Sequence, residues 1–131
     1  MINEYIKIRN KFKDCVVLIK SGIFYYTYDK DALMLSFIMG YKKINNRVGF
    51  PINNLEKVLS ILSNLRINVY VDNMIFEHGD MYNIYLDKVN FDNKVKDLIS
   101  LIESKINKDN SIYNKLVLFM REIDEWAYFI K

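Results

Sequence analysis

Residues 15–28 leave this chain little freedom in local structure. Cys15-Val16-Val17-Leu18-Ile19 is an unbroken β-prone run, the mark of a buried strand. Ser21-Gly22 supplies a tight turn, because glycine enters positive φ without a Cβ clash. Ile23 to Tyr28 then forms the return strand. Alternation sets Phe24, Tyr26 and Tyr28 on one side and Ile23, Tyr25 and Thr27 on the other. A helix begins at Asp29 or Lys30, runs through Met39 and stops at Gly40, with Asp31 in the first turn where the helix dipole favours a carboxylate. Leu33, Met34, Leu35, Phe37, Ile38 and Met39 make it apolar nearly all round, which predicts deep burial.

The flanking segments extend this unit. Tyr5, Ile8 and Phe12 mark a short helix over 3–12. Tyr41 to Gly49 holds a short strand and a basic turn, and Pro51 blocks helix until Asn53 and Glu56 pair as a cap. Leu55, Val58, Leu59 and Leu62 then give a helical stripe. Asn68–Val71 is expected as a strand and Met81–Val89 as another, with a turn through His78-Gly79-Asp80. Val95, Leu98, Ile99, Ile102 and Ile106 mark one amphipathic helix. Ile112, Leu116, Phe119, Met120, Ile123, Trp126, Ala127 and Ile130 mark a second, after a polar link over 107–111. The expected fold is α/β: a mixed β-sheet from segments near 15–28, 44–49, 68–71 and 81–89, flanked by helices. It fills residues 1–90, with a C-terminal helical hairpin over 91–131 packed on it as one globular unit.

Size and composition bound the function. A chain of 131 residues is one ordinary domain, and no run of about 18 apolar residues predicts a membrane span. Met1-Ile2-Asn3-Glu4 lacks a signal-peptide pattern, and the single cysteine, Cys15, fits a reducing cytoplasm. Abundant Asn, Ile, Lys and Tyr indicate an AT-rich coding sequence and predict a bacterial source. The net charge of +3 is unevenly spread. Residues 1–50 carry nine basic against four acidic residues, +5; residues 51–131 carry ten against twelve, −2. A basic face in the first part suits phosphate contact, while ordinary solvated lysine-rich helices would look the same.

Catalytic chemistry has little to work with. His78 is the only histidine and falls in an expected turn; Cys15 heads an apolar strand as packing. There is no CxxC, HExxH or GxxxxGK[ST] pattern. Asp92-Asn93-Lys94 satisfies a loose nuclease triplet that arises easily by chance, and helix capping explains Asp29 and Asp31 better than a carboxylate pair. No enzyme, catalytic residue, metal or cofactor is therefore expected.

The order of blocks carries more. Tyr5-Ile6-Lys7, Phe12 with Asp14, Gly22 to Ala32, Arg47-Val48-Gly49-Phe50-Pro51, then Leu55, Leu59, Leu62 and Val69-Tyr70-Val71 stand in a set sequence over roughly residues 5–72. This pattern resembles the N-terminal mismatch-recognition domain of the MutS family of DNA repair ATPases. In that family a Phe-x-Glu pair reads the defect: phenylalanine stacks on the mispaired base and glutamate hydrogen-bonds it. The resemblance sets Phe24 at the wedge position and Tyr26 at the glutamate position, with Lys7, Lys42, Lys43 and Arg47 as phosphate contacts. It implies a non-enzymatic, stand-alone DNA-binding module that contacts distorted, mismatched or branched duplex from the minor groove, since the 131 residues end before any ATPase.

Tyr26 changes the chemistry of that pair. A phenol donates, accepts and stacks, which favours general or branched-DNA contact over mismatch selection. The competing reading is a protein-interaction module that kept the fold and lost DNA recognition, forming a homodimer or binding a protein partner through the apolar C-terminal helix ending in Trp126.

Overall fold

The computed structural model describes the backbone of residues 2–130 and the side chains of residues 2–125. The chain divides into two compact units, Met1–Asn90 and Phe91–Lys131.

In the first unit, α1 (Ile2–Lys11) leads into β1 (Cys15–Val17) and β2 (Ile19–Ser21). Leu18 separates these two strands, yet its N–H still donates to the Tyr70 carbonyl at 2.9 Å. One apolar run thus feeds two three-stranded sheets. β1 pairs in parallel with β5 (Asn68–Val71), which carries β6 (Met74–Phe76) antiparallel at its other edge. β2 pairs antiparallel with β3 (Phe24–Tyr28), and β3 with β4 (Arg47–Pro51). Pairing is mixed, as expected, but in two sheets instead of one: the first is mixed and the second antiparallel throughout.

Helices cover the two faces. Val16, Leu18, Tyr25, Val48, Phe50, Val69 and Val71 point to one side, where α2 (Asp29–Met39) contributes Ala32, Met34 and Leu35 and α3 (Leu55–Asn64) contributes Val58 and Leu62. Each fully buried leucine or methionine here contributes about 1.5–3 kcal/mol. The opposite side holds Cys15, Val17, Ile19 and Tyr28 against Tyr5 of α1, with the Tyr5 and Tyr28 rings 5.3 Å apart. The helix over 29–39 ends as expected, with Gly40 at φ 74°. Its burial is one-sided, since Phe37 faces solvent.

Three sequence expectations are corrected. Residues 81–89 are not a strand but the start of α4 (Tyr82–Lys108). Tyr82, Tyr85, Leu86 and Val89 form a helical i, i+3, i+4, i+7 stripe, and Tyr82 and Val89 are buried; the helical period prevails over alternation. The hairpin after β5 is not at His78–Asp80 but at Asp72-Asn73, both at positive φ (51° and 61°), the geometry of a type I′ turn. Asn53 and Glu56 form no cap, because residues 52–54 wind as a 3₁₀ turn and α3 starts without a side-chain cap hydrogen bond.

α4 runs on into the second unit, which also holds α5 (Ser111–Ile130). The link between the two helices is short. Asp109 Oδ1 accepts hydrogen bonds from the Ser111 N–H at 3.0 Å and the Ser111 hydroxyl at 2.7 Å. Those bonds hold the Asp109 carboxyl below its ordinary range. No described side chain over 91–125 is buried. Trp126, Ala127 and Ile130 lie outside the described side chains.

Candidate nucleic-acid interface

The groove is built by the antiparallel β3–β4 pair and the loop that precedes β4. Gly22 (φ 62°) opens the two-residue turn between β2 and β3, a first central position that only glycine occupies without strain in a type II′ turn. That turn fixes the register in which Phe24 faces Pro51, Tyr26 faces Gly49 and Tyr28 faces Arg47. A second turn enters β4. Asn45 and Asn46 both take positive φ (53° and 59°), and Ile44 and Arg47 exchange backbone hydrogen bonds across them at 2.8 and 3.0 Å. Asparagine tolerates this conformation, and Asn46 also accepts the Asp29 N–H at 2.9 Å.

Tyr26 is clamped flat. A Cβ on Gly49 would sit 2.6 Å from its ring, so the ring lies in the space that a side chain at 49 would need. The Arg47 guanidinium covers the ring, 4.4 Å from its centroid. The Phe24 ring stands 6.0 Å from Tyr26 at a tilt of 31°, and both are half-buried. Beside them lies a groove of about 310 Å³ lined by Phe24, Tyr26, Tyr41, Lys42, Ile44, Arg47 and Gly49.

The structure therefore brings four of the six expected residues together: Phe24, Tyr26, Lys42 and Arg47. Lys43 is exposed beside the groove without lining it, and Lys7 is exposed on α1, also outside the lining. Sequence reasoning missed Tyr41 and Ile44, which line the groove, and Gly49's part in seating Tyr26. The Asn45-Asn46 dipeptide was the signal that could have placed them, since paired residues of this type mark a tight turn.

Arg47 forms no ion pair among the described residues; the two ion pairs present are Arg9–Asp31 and Lys96–Asp92. Its donors are open to an anion. The surface thus offers two aromatic rings, a stacked guanidinium and the Lys42 ammonium. This suits a ligand with flat rings and phosphates.

The residues weighed for catalysis lie elsewhere. His78 follows β6, with its N–H donated to Asn68 Oδ1 at 2.6 Å, and Asp92 pairs with Lys96 at 3.0 Å on α4. Among the described residues no group of three His, Cys, Asp or Glu side chains could hold a metal ion. Asp31 lies in the first turn of α2, as expected, but it is not a cap, since α2 starts without a side-chain cap hydrogen bond. It is wholly buried and accepts hydrogen bonds from Tyr5 (2.7 Å), Tyr82 (2.6 Å), Arg9 (3.2 Å) and the Val17 N–H (3.2 Å). Burial pushes its carboxyl up, against the pull of Arg9 and these donors, and it pushes both phenols up as well.

No helix among the described residues is long and apolar enough to cross a membrane. No curated protein matches the sequence. The model of one family, MutS domain I, matches residues 1–74, which include α1, every strand of the groove and the strand β5. That match spans more than half of the chain and coincides with the sheet and helices that seat Phe24 and Tyr26, so the chain belongs to the MutS domain I family.

Proposed function

We propose that this chain is a non-enzymatic DNA-binding module that contacts distorted, mismatched or branched duplex through the β3–β4 groove. The observation that carries the reading is the Arg47–Tyr26–Phe24 arrangement: a half-buried aromatic pair whose Tyr26 lies under a guanidinium with no carboxylate partner among the described residues. Phe24 enters between base steps from the minor groove. Opening a step costs about a few kcal/mol, and less where pairing is already weak, so the wedge favours defects by energy. Lys42 and Arg47 take phosphates beside it, and Lys43 and Lys7 add charge at longer range.

Tyr26 sets the selectivity. A carboxylate here would accept from a base and repel phosphates; a phenol held flat by Gly49 and Arg47 presents a stacking surface and no negative charge. The module should therefore discriminate mismatched from matched duplex weakly and prefer junctions or flaps whose bases are already unstacked. The same reading places it in a bacterial cytoplasm, supported by the lone cysteine and the AT-rich composition.

Fluorescence anisotropy at low salt on matched, mismatched and junction DNA tests the proposal. The expected order is junction, then mismatched, then matched, with Phe24→Ala weakening the first two about tenfold or more. Absence of salt-sensitive binding, or binding indifferent to Phe24→Ala, would remove the wedge.

A further inference from the structure

The second unit presents an apolar surface without a core beneath it. From Phe91, the α4 stripe recurs at Leu98 and Ile99 (i+7, i+8); from Ile112, the α5 stripe recurs at Phe119, Met120 and Ile123 (i+7, i+8, i+11). Both are the one-sided spacing of helices that bury a face against other helices. Yet Leu98 is 55% and Phe119 56% exposed, and no described side chain of this unit is buried. Stripes of this kind are buried when helices pack face to face.

We propose that these stripes meet those of a second copy of the chain, so that α4 and α5 of two copies bury them against one another. Charge is compatible with a second copy. Residues 91–131 carry seven basic and seven acidic side chains, so two copies do not repel and neither an acidic nor a basic partner is favoured. A lipid surface would want a cationic polar face, whereas here Lys94, Lys96 and Lys105 alternate with Asp92, Asp97 and Glu103. The area is also sufficient. Covering roughly ten half-exposed large apolar side chains removes on the order of 800 Å² per copy, the amount a standard stable interface buries on each partner. The contact is isologous, each copy giving and receiving the same patch, so assembly stops at two. The assembly carries two copies of the β3–β4 groove, although dimerisation does not depend on what the groove binds.

Sedimentation velocity on the full chain at micromolar concentration tests the proposal. A species of twice the 15.7 kDa chain mass is expected. The double substitution Leu98→Glu with Phe119→Glu should weaken self-association at least about tenfold. Both side chains are exposed, so far-ultraviolet circular dichroism should stay that of the parent chain. A monomer at every concentration would overturn the proposal, as would a dimer indifferent to the two substitutions. Flotation of the chain with anionic lipid vesicles, lost in the double variant, would give the stripes to a membrane surface and overturn it as well.

Discussion

The first unit contains the same pair of side chains twice, an arginine stacked on a tyrosine. Arg9 lies over Tyr82 with its carbon 4.8 Å from the ring centroid, and Arg47 lies over Tyr26 at 4.4 Å. Around the first pair stand the buried Asp31 carboxylate and the Tyr5 hydroxyl, and Arg9 also donates to the backbone carbonyls of Lys13 and Cys15. Every charged or polar group there has a partner, so the pair rivets α1, β1, α2 and α4 together. The second pair has no carboxylate partner among the described residues and faces an open groove. One arrangement is a closed account of donors and acceptors; the other is an unfinished one. The difference teaches that partners and burial, not residue type, separate a structural contact from a candidate binding surface.

The largest effect should come from opening the closed pair. Asp31→Ala leaves Arg9 and two phenols buried without their acceptor, which should cost about 3–5 kcal/mol in urea denaturation. The comparison breaks if that loss is no greater than the one caused by Arg47→Ala. Gly49→Ala is next. Its Cβ meets the Tyr26 ring at 2.6 Å, so the ring must lift, dislodging Arg47. A stability loss of about 1–3 kcal/mol is expected together with weakened DNA binding. The double variant Gly49→Ala with Tyr26→Ala should recover most of the stability and none of the binding.

Arg47→Ala itself should leave stability within about 0.5 kcal/mol while lowering DNA affinity about tenfold and the salt slope by about one. A stability loss of the size seen at Asp31 would make Arg47 a second rivet. The smallest effect is alkaline. Burial pushes the Cys15 thiol up from 9.0 to about 11; burial and the hydrogen bond to Asp72 push the Tyr25 hydroxyl up from 10.0 to about 12. Both groups are raised, so the stability they contribute is complete below pH 9 and lost as pH rises from 9 to 12. The denaturation midpoint should decline from pH 9 upward, and Cys15→Ala should delay the onset of that decline to about pH 10, where the raised phenols Tyr5, Tyr25 and Tyr82 begin to contribute.

How much of this was legible in the sequence follows the same division. The hairpin and helix over 15–39 were readable because apolar runs, Gly22 and Gly40 each admit few backbone solutions. The groove was half readable. Phe24 and Tyr26 fall on one side of a strand by alternation, but the seating of Tyr26 depends on a cross-strand register that local pattern does not encode. Residues 81–89 satisfied both periods, and burial of Tyr82 and Val89 decided the matter only in three dimensions. Asp31 was read as a helix-start residue because its partners, Tyr5, Arg9 and Tyr82, come from segments up to 51 positions away. The turn at Asn45-Asn46 falls inside the basic turn expected over 41–49, whereas that at Asp72-Asn73, equally plain in residue type, yielded to the glycine signal at Gly79.

The central claim is that the unfinished pair, with Phe24 beside it, meets unstacked bases. A duplex carrying 2-aminopurine at a mismatch or junction reports this directly, because its fluorescence changes when the stack is opened or replaced. The account predicts a fluorescence change on adding the protein that disappears with Phe24→Ala and persists with Asp92→Ala on α4. A signal that Phe24→Ala leaves intact would contradict it.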